Sequence, residues 1–154
     1  WANHLSTIFP EVRLKRYLEM RGADGVPWNR LPALSAFWVG LLYDDAALDA
    51  AWDIVKNWTA AERQALRDDV PKLGFKSRIK DRYLFEIAKE CVALAHGGLK
   101  RRARLDQGGR DETRHLEPLE RILALGKNPA EEMLDKYNGS WQGSVDQAYK
   151  EYCF

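Results

Sequence analysis

Polar and apolar residues alternate along the first strongly patterned stretch of the chain, from Glu11 to Arg21. The even positions are apolar except at Arg16, and the odd positions carry charged side chains or tyrosine. This alternation predicts a β-strand with one apolar face and one charged face. The expected apolar face comprises Leu14, Leu18 and Met20, and the expected charged face comprises Tyr17, Glu19 and Arg21. A helix is the alternative, because most of these residues favour helices and several pairs are also helical neighbours.

The segments on either side of this stretch set its limits. Residues 1–10 combine His4 with apolar side chains and predict a strand or a buried approach to one. Turn-forming residues between Gly22 and Pro27 predict that the strand ends there, so that Glu19 and Arg21 lie near its carboxyl end. The block from Phe37 to Tyr43 is apolar on every side and predicts a buried helix.

From Asp44 onward the pattern changes to amphipathic helices. Apolar residues recur at helical spacing, and the starts and ends carry capping residues, prolines and glycines. The expected helices cover residues 44–56, 59–70, 81–105, 116–125 and 129–137, with a short last helix near the C-terminus. Cys91 lies on the apolar stripe of one of them, which favours an inert thiol in the core.

Composition and charge exclude several classes of function. A chain of 154 residues with 45% hydrophobic residues is long enough to fold as one domain with a core. Its formal net charge of +1 predicts no general attraction to nucleic acids or to anionic membranes. The basic cluster from Lys100 to Arg104 suits the carboxyl end of a helix. No apolar run is long enough to span a bilayer, and no basic and apolar leader opens the chain, so we expect a soluble intracellular protein.

No complete catalytic motif is visible in the sequence. It contains no Walker loop, no glycine-rich dinucleotide turn, no metalloprotease helix and no nucleophile elbow. The three histidines, His4, His96 and His115, have no cysteine or histidine partner at the spacing of metal ligands. The charged face around Glu19 and Arg21 is therefore either part of a site that other residues complete, or simply a solvated face.

Four groups of residues resemble one known family. They are the run His4 to Asp24 (HLSTIFPEVRLKRYLEMRGAD), the block Ala36 to Asp44 (AFWVGLLYD), the helix start Trp58 to Arg63 (WTAAER), and the closing Tyr137 to Trp141 (YNGSW) with Ser144 to Asp146. Together they resemble the plant and alphaproteobacterial type of glutamate–cysteine ligase over essentially the whole chain. The chain resembles only the C-terminal third of that enzyme, so the resemblance implies that it makes no product alone.

The resemblance implies a fold, a reaction and a set of partners. The fold is α+β: a mainly helical chain whose N-terminal strands belong to a glutamine-synthetase-like antiparallel sheet. The reaction is the first step of glutathione synthesis. ATP phosphorylates the γ-carboxylate of glutamate, and the cysteine amine displaces phosphate from the γ-glutamyl phosphate. The implied cofactor is Mg2+ with ATP as a substrate, and the implied partners are glutamate, cysteine and the N-terminal portion of the enzyme.

The resemblance also gives roles to individual residues. In the glutamine-synthetase-like fold the antiparallel sheet forms a funnel. An acid and an arginine spaced like Glu19 and Arg21 point into that funnel in the proteins that share the fold. Glu19 is therefore the expected magnesium ligand, and Arg21 is the expected catalytic and substrate-binding residue that holds the substrate or the transferred phosphate. Tyr17 and Trp38 are further expected substrate-binding residues that shape the glutamate pocket. Pro32 stands where plant members tend to carry a cysteine linked to redox control, which puts that regulation in doubt.

These expectations divide the chain into two regions of one domain. Residues 1–44 form the strand region with the Glu19 and Arg21 site and the buried aromatic segment, and residues 45–154 form the helical region. The alternative function is a non-catalytic helical interaction module derived from the same fold. We expect the protein in the cytoplasm, or in the plastid if its source is plant-like. Uncovered strand edges would favour self-association.

Overall fold

The computed structural model describes residues 1, 4, 10–23 and 25–152. The strand or buried segment expected over residues 1–10 lies largely outside these described residues. His4 is described, and its ring stacks on Trp1 with the ring centroids 5.7 Å apart. Within the continuous described stretch 10–23, the regular structure is an antiparallel hairpin of β1 (Val12–Leu14) and β2 (Leu18–Met20), in which Arg13 pairs with Glu19.

The hairpin corrects the prediction of one continuous strand. The chain bends over residues 15–17 and returns, so Tyr17 lies in the connection rather than on a strand. The expected burial of the apolar face is also wrong for two residues, because Leu14 is 80% exposed and Leu18 is 60% exposed. Met20 is half-buried. The alternation was read correctly as β structure, but the point where the chain reverses was not.

Helices make up the remainder of the chain, together with one very short second hairpin. The α-helices are α1 (Leu31–Leu42), α2 (Asp45–Val55), α3 (Ala60–Leu73), α4 (Leu84–Arg102), α5 (Glu117–Leu125), α6 (Pro129–Asn138) and α7 (Asp146–Glu151). Two 3-10 turns, Gly74–Lys76 and Glu112–Leu116, and the strands β3 (Arg78–Ile79) and β4 (Arg82–Tyr83) connect them. Helices account for 62% of the structure, which confirms a mainly helical α+β fold.

The core lies where α1 crosses α4. Gly40 and Gly98 face each other there, and a Cβ atom built on Gly98 would lie 2.0 Å from the carbonyl oxygen of Gly40. The missing side chains allow the two backbones to touch, which is the physical role of glycine at a close crossing. The surrounding residues are buried at 6% exposure or less: Ala36, Leu41, Ala95, Leu99 and Leu116. The helix expected over Phe37 to Tyr43 is confirmed within α1 as far as Leu42. Its expected burial is confirmed only for Gly40 and Leu41, since the other residues of α1 in this block are half-buried and Tyr43 is exposed.

Side-chain caps fix the ends of several helices. Asp44 caps α2 through the amide of Ala47, and Thr59 and Glu62 form a complete capping box at the start of α3. These groups satisfy backbone amides that have no partner within the helix. The helix expected to end at about residue 70, stopped by Pro71 and Gly74, continues through Pro71 in its last turn to Leu73 and is ended by Gly74.

The indole ring of Trp141 holds the last helix, α7, in place. Trp141 is 5% exposed and donates its Nε1 hydrogen to Glu151 of α7 at 2.6 Å. Lys136 of α6 donates to the other oxygen of the same carboxylate, also at 2.6 Å. A buried indole N–H needs such an acceptor, so this triad holds the short α7 against α6.

Two further sequence expectations concern the thiol of Cys91 and membrane-spanning helices. Cys91 is half-buried on α4, and burial raises the pKa of its thiol, as expected for a cysteine in a packing face. Among the helices that the structure describes, none has the length and hydropathy needed to cross a bilayer.

Candidate functional site

The register of the first hairpin decides which side chains share a face. Residues directly opposite each other in an antiparallel pair point to the same side of the sheet. Arg13 lies opposite Glu19, and the amide of Arg21 donates to the carbonyl of Glu11, so these four residues lie on one face. We call this the charged face. The opposite face consists of the paired residues Val12, Met20, Leu14 and Leu18, and we call it the apolar face.

Glu19 is the centre of the charged face. The Nε of Arg13 donates to Oε2 of Glu19 at 2.7 Å, and Nη1 of Arg21 lies 3.4 Å from the same oxygen. The three side chains are between 24% and 30% exposed, so they are partly sheltered from water. The structure therefore brings together Glu19 and Arg21, as the sequence predicted, and adds Arg13 to them.

The electrostatics of this cluster favour an ionised carboxylate. The hydrogen bond from Arg13 lowers the pKa of Glu19 most, and the positive charges of Arg13, Lys15 and Arg21 act in the same direction. Partial burial opposes them but does not reverse the shift. Glu19 is thus an anion held between two permanent cations, and the cluster as a whole carries one net positive charge. Such a cluster can orient an anionic group while it retains a hard carboxylate oxygen.

The apolar face of the hairpin is more exposed to solvent than the centre of its charged face. On the apolar face Val12 is 47%, Leu14 80% and Leu18 60% exposed. On the charged face the side chains of Arg13, Glu19 and Arg21 are only 24–30% exposed, although that of Glu11 is 60% exposed. Exposed apolar patches of this kind mark surfaces that contact another part of a protein or a partner. An ion pair between Glu11 and Arg67 of α3, 3.0 Å apart and largely exposed, joins the hairpin to the helices. Such a pair contributes little to stability.

The other two expected site residues, Tyr17 and Trp38, contact other parts of the chain. Tyr17 is 61% exposed in the connection between β1 and β2, where its carbonyl accepts the amide hydrogen of Lys15. Trp38 is half-buried on α1, where its ring meets Phe37 edge-on with centroids 5.3 Å apart. Neither has a described contact with Glu19 or Arg21. Their roles in substrate binding stay predictions.

A magnesium site would need oxygens beyond those of the hairpin. Within residues 1, 4, 10–23 and 25–152, no three His, Cys, Asp or Glu side chains cluster closely enough to hold a metal ion. Magnesium commonly takes one or two protein carboxylates and completes its shell with water and substrate phosphates. Both guanidinium groups bind Oε2 of Glu19, and no described residue bonds to Oε1. Glu19 therefore fits the part of a single carboxylate ligand, and no more than that.

Sequence reasoning missed Arg13, although a signal for it exists. The apolar positions 12, 14, 18 and 20 are symmetric about Arg16, the one residue that interrupts the alternation. An interruption at the centre of a symmetric pattern is what a chain reversal produces, and a reversal there puts Arg13 opposite Glu19. The connection Lys15 to Tyr17 contains no glycine, proline or asparagine, so the usual turn signals were absent.

Comparison with known proteins gives a consistent result over the whole chain. A family model described as "Glutamate-cysteine ligase family 2(GCS2)" matches residues 1–151. The chain is 51% identical over 154 residues to the chloroplastic glutamate–cysteine ligase of Arabidopsis thaliana, covering 100% of this chain and 28% of that protein. The corresponding protein of Solanum lycopersicum is 50% identical, with the same coverage of 100% and 28%. Glutamate–cysteine ligase A of Oryza sativa subsp. indica is 48% identical, with 100% and 30% covered. The chain thus spans less than a third of the length of these relatives, and it matches their C-terminal part.

Proposed function

Since the chain belongs to glutamate-cysteine ligase family 2, we propose that it forms the C-terminal part of an ATP-dependent ligase. That ligase joins the γ-carboxylate of glutamate to the amine of cysteine in glutathione synthesis. The observation that carries the proposal is the cluster of Glu19 with Arg13 and Arg21 on the charged face, 2.7 and 3.4 Å apart. It combines a carboxylate with two guanidinium groups, the side chains that a reaction of phosphate and carboxylate anions requires.

The proposed reaction has two steps. An oxygen of the γ-carboxylate attacks the γ-phosphorus of ATP, and ADP leaves with the electrons of the broken P–O bond. The neutral amine of cysteine then attacks the γ-carbonyl carbon, an amide bond forms, the C–O bond to phosphate breaks, and the amine nitrogen loses a proton. Negatively charged oxygens approach each other in the first step, so the protein has mainly to position them and compensate their charge.

Residues of the charged face divide this task. Arg21 would hold an anionic oxygen of the substrate or of the transferred phosphoryl group, because its guanidinium is planar and permanently charged. Glu19 would supply one oxygen ligand to Mg2+. The ion, when bound, would neutralise charge on the phosphate oxygens. Tyr17 and Trp38 would line the pocket for glutamate, as aromatic side chains do in many small-molecule sites.

The exposed apolar face supports a role together with another part of the enzyme. Val12, Leu14 and Leu18 lie in solvent in the described chain, and the relatives contain more than twice as much further sequence. We propose that the N-terminal portion of the ligase covers this face, continues the sheet from the hairpin, and supplies the remaining ligands of ATP and Mg2+. Until it is covered, the same face would favour self-association. The relatives are chloroplastic proteins by name, so for a plant-like source we propose a plastid location, and otherwise a cytoplasmic one.

One observation favours a second candidate. The helical part has its own core around Leu99 and Leu116, both 0% exposed, and this core does not involve the hairpin. A chain with such a core could act as a non-catalytic interaction module that retains the fold without the chemistry. The two candidates differ in whether Glu19 affects ligase activity.

The test uses a chimera of the Arabidopsis thaliana enzyme in which this chain replaces the matching C-terminal 28%. We expect the chimera to form γ-glutamylcysteine from ATP, glutamate and cysteine. Glu19→Gln should lower kcat/KM by about 100-fold or more, because it removes a charged ligand from the site. Glu120→Gln is the matched control, since Glu120 lies exposed on α5 without a described ion pair. It should leave the rate unchanged.

Two results would contradict the proposal. A folded chimera without ligase activity would favour the interaction module. An active chimera whose rate is unaffected by Glu19→Gln would remove the charged face from the active site.

A further inference from the structure

We propose that Arg13 is a positioning residue that anchors one oxygen of Glu19 and leaves the other for the metal ion. This inference rests on the proposed function and adds to it a residue that acts through Glu19. It starts from the register of the hairpin, in which Arg13 and Glu19 are directly paired across the two strands. Direct pairing places the Cβ atoms of the two residues next to each other on one face, so their side chains can interact without any loop between them.

The distribution of contacts between the two oxygens of Glu19 carries the inference. Oε2 accepts the hydrogen bond from Nε of Arg13 at 2.7 Å and lies 3.4 Å from Nη1 of Arg21. Oε1 accepts no hydrogen bond from any residue that the structure describes. The carboxylate is therefore held through one oxygen only. A carboxylate held in this way keeps one oxygen for a ligand while its rotamer is fixed.

Arg13 rather than Arg21 makes the dominant contact. Its hydrogen bond is 0.7 Å shorter than the contact from Arg21, as the distances of 2.7 and 3.4 Å show. This hydrogen bond joins paired residues of two strands, whereas Glu19 and Arg21 are two positions apart on one chain segment. The hydrogen bond from Arg13 is thus sufficient to hold Glu19, whatever Arg21 contacts. The two arginines would then have separate tasks, one for the carboxylate and one for the substrate.

A purely structural role is the competing explanation. A cross-strand ion pair contributes modestly to the stability of a hairpin, so Arg13 could serve only to hold β1 and β2 together. In that case its loss would affect stability but would not change metal affinity in a folded enzyme. The connection between the strands offers a matched control, because Arg16 is exposed there and has no described ion pair.

The experiment measures metal binding directly in the chimeric ligase. Mn2+ replaces Mg2+ as the probe, and the electron paramagnetic resonance signal of free Mn2+ gives the affinity in the presence of ADP. We expect Arg13→Gln to weaken Mn2+ binding by about 10- to 100-fold, the usual effect of losing an outer partner of a ligand. Arg13→Lys should recover part of the affinity, and Arg16→Gln should bind Mn2+ like the parent. In turnover assays, Arg13→Gln should raise the Mg2+ concentration for half-maximal rate more than the KM for cysteine.

Unchanged Mn2+ affinity in folded Arg13→Gln would overturn the inference, and circular dichroism with a melting curve establishes folding. Glu19→Gln, measured in the same series, separates this failure from that of the proposed function. If Glu19→Gln weakens Mn2+ binding and Arg13→Gln does not, only the positioning role is wrong. If neither variant changes Mn2+ binding or rate, the proposed site itself is wrong.

Discussion

The hairpin of β1 and β2 and the helical body around α1 and α4 are stabilised in opposite ways. In the body, apolar side chains such as Leu99 and Leu116 are fully buried and two backbones touch at Gly40 and Gly98. In the hairpin, Leu14 is 80% exposed, and the sheltered side chains are charged. Burial of apolar area is the main source of stability. The body thus has the means to fold by itself, whereas the hairpin leaves most of its apolar face in solvent.

This difference assigns separate roles to the two regions. In the proposed function the body provides a rigid support, and the hairpin carries the ionised cluster of Arg13, Glu19 and Arg21. Binding and catalytic groups are commonly carried in this way by less stable segments on a stable scaffold. Mutations should therefore divide into those that change stability and those that change chemistry, according to the region.

The largest effect on stability is expected from truncation in the body. Leu99→Ala should lower the free energy of unfolding by about 2–5 kcal/mol, because it leaves a cavity around a fully buried position. Leu14→Ala is the matched change in the hairpin and should cost less than about 0.5 kcal/mol in the isolated chain. Urea denaturation of both variants measures the difference. Equal losses would show that the apolar face is already covered, for example by self-association.

A smaller but sharper effect is expected where α1 crosses α4. Gly98→Ala should destabilise the chain by about 1–3 kcal/mol, because the new Cβ would lie 2.0 Å from the carbonyl oxygen of Gly40. The neighbouring Gly97→Ala brings its Cβ only to 3.2 Å from the flexible end of Arg101. It should be neutral or stabilising by up to about 1 kcal/mol, since alanine favours helices over glycine. A Tm of Gly98→Ala equal to or above that of Gly97→Ala would refute this close crossing.

The capping box of α3 should contribute less than the core. Thr59→Ala removes the oxygen that accepts the amide hydrogen of Glu62 at 3.2 Å, and we expect a loss of about 1 kcal/mol. Thr59→Ser keeps that oxygen and should remain within a few tenths of a kcal/mol of the parent. Thermal unfolding of the two variants checks the prediction. Identical melting curves for the alanine and serine variants would contradict it.

The smallest effect is a pH-dependent one in the loop before the 3-10 turn Glu112–Leu116. The amides of Arg110 and Gly108 and the charge of Arg114 lower the pKa of Asp106 from 3.8 to about 2. The folded pKa lies below the unfolded one, so the stabilisation is present above pH 3.8 and is lost as the pH falls through about 2. Asp106→Asn should therefore lower Tm slightly near neutral pH. The difference from the parent should shrink between about pH 4 and about pH 2, and a constant difference over this range would be the contrary result.

Sequence reasoning succeeded where structure is set by neighbouring residues. The helix start at Thr59 and Glu62, the start at Asn128 and the end at Gly126 each depend on groups within one turn, and all three are confirmed. Gly126 has a φ of +65°, a conformation that glycine adopts without strain. The fold class follows from these local signals, because helices dominate the chain.

It failed where the chain reverses without turn-forming residues. The connection Lys15 to Tyr17 reverses β1 into β2, and Lys80 and Asp81 form the two-residue turn of β3 and β4. Lys80 adopts a φ of +52°, which sequence rules reserve for glycine or asparagine. The Nζ of Lys80 donates to the carbonyl of Asn57 at 2.7 Å, which links this turn to the connection between α2 and α3. A contact between residues so far apart in sequence leaves no local pattern.

The candidate site shows the same division. The alternation predicted that Glu19 and Arg21 share a face, which is a local relation, whereas their expected roles came from the family resemblance. Arg13 joins them only through the pairing of two strands. That pairing depends on the turn Lys15 to Tyr17, which contains none of the usual turn-forming residues. How Tyr17 and Trp38 relate to the site remains a prediction, since that depends on the rest of the ligase.

The division between the two regions is tested most directly by Arg21→Gln, measured in two ways. In the isolated chain, its Tm should stay within about 2 °C of the parent, because the side chain belongs to the hairpin and not to the core. In the chimeric ligase, the rate of γ-glutamylcysteine formation should fall by about 100- to 1,000-fold, the usual loss on removing a group that stabilises charge in the transition state. An unchanged rate, or a loss of Tm as large as that of Leu99→Ala, would contradict the account.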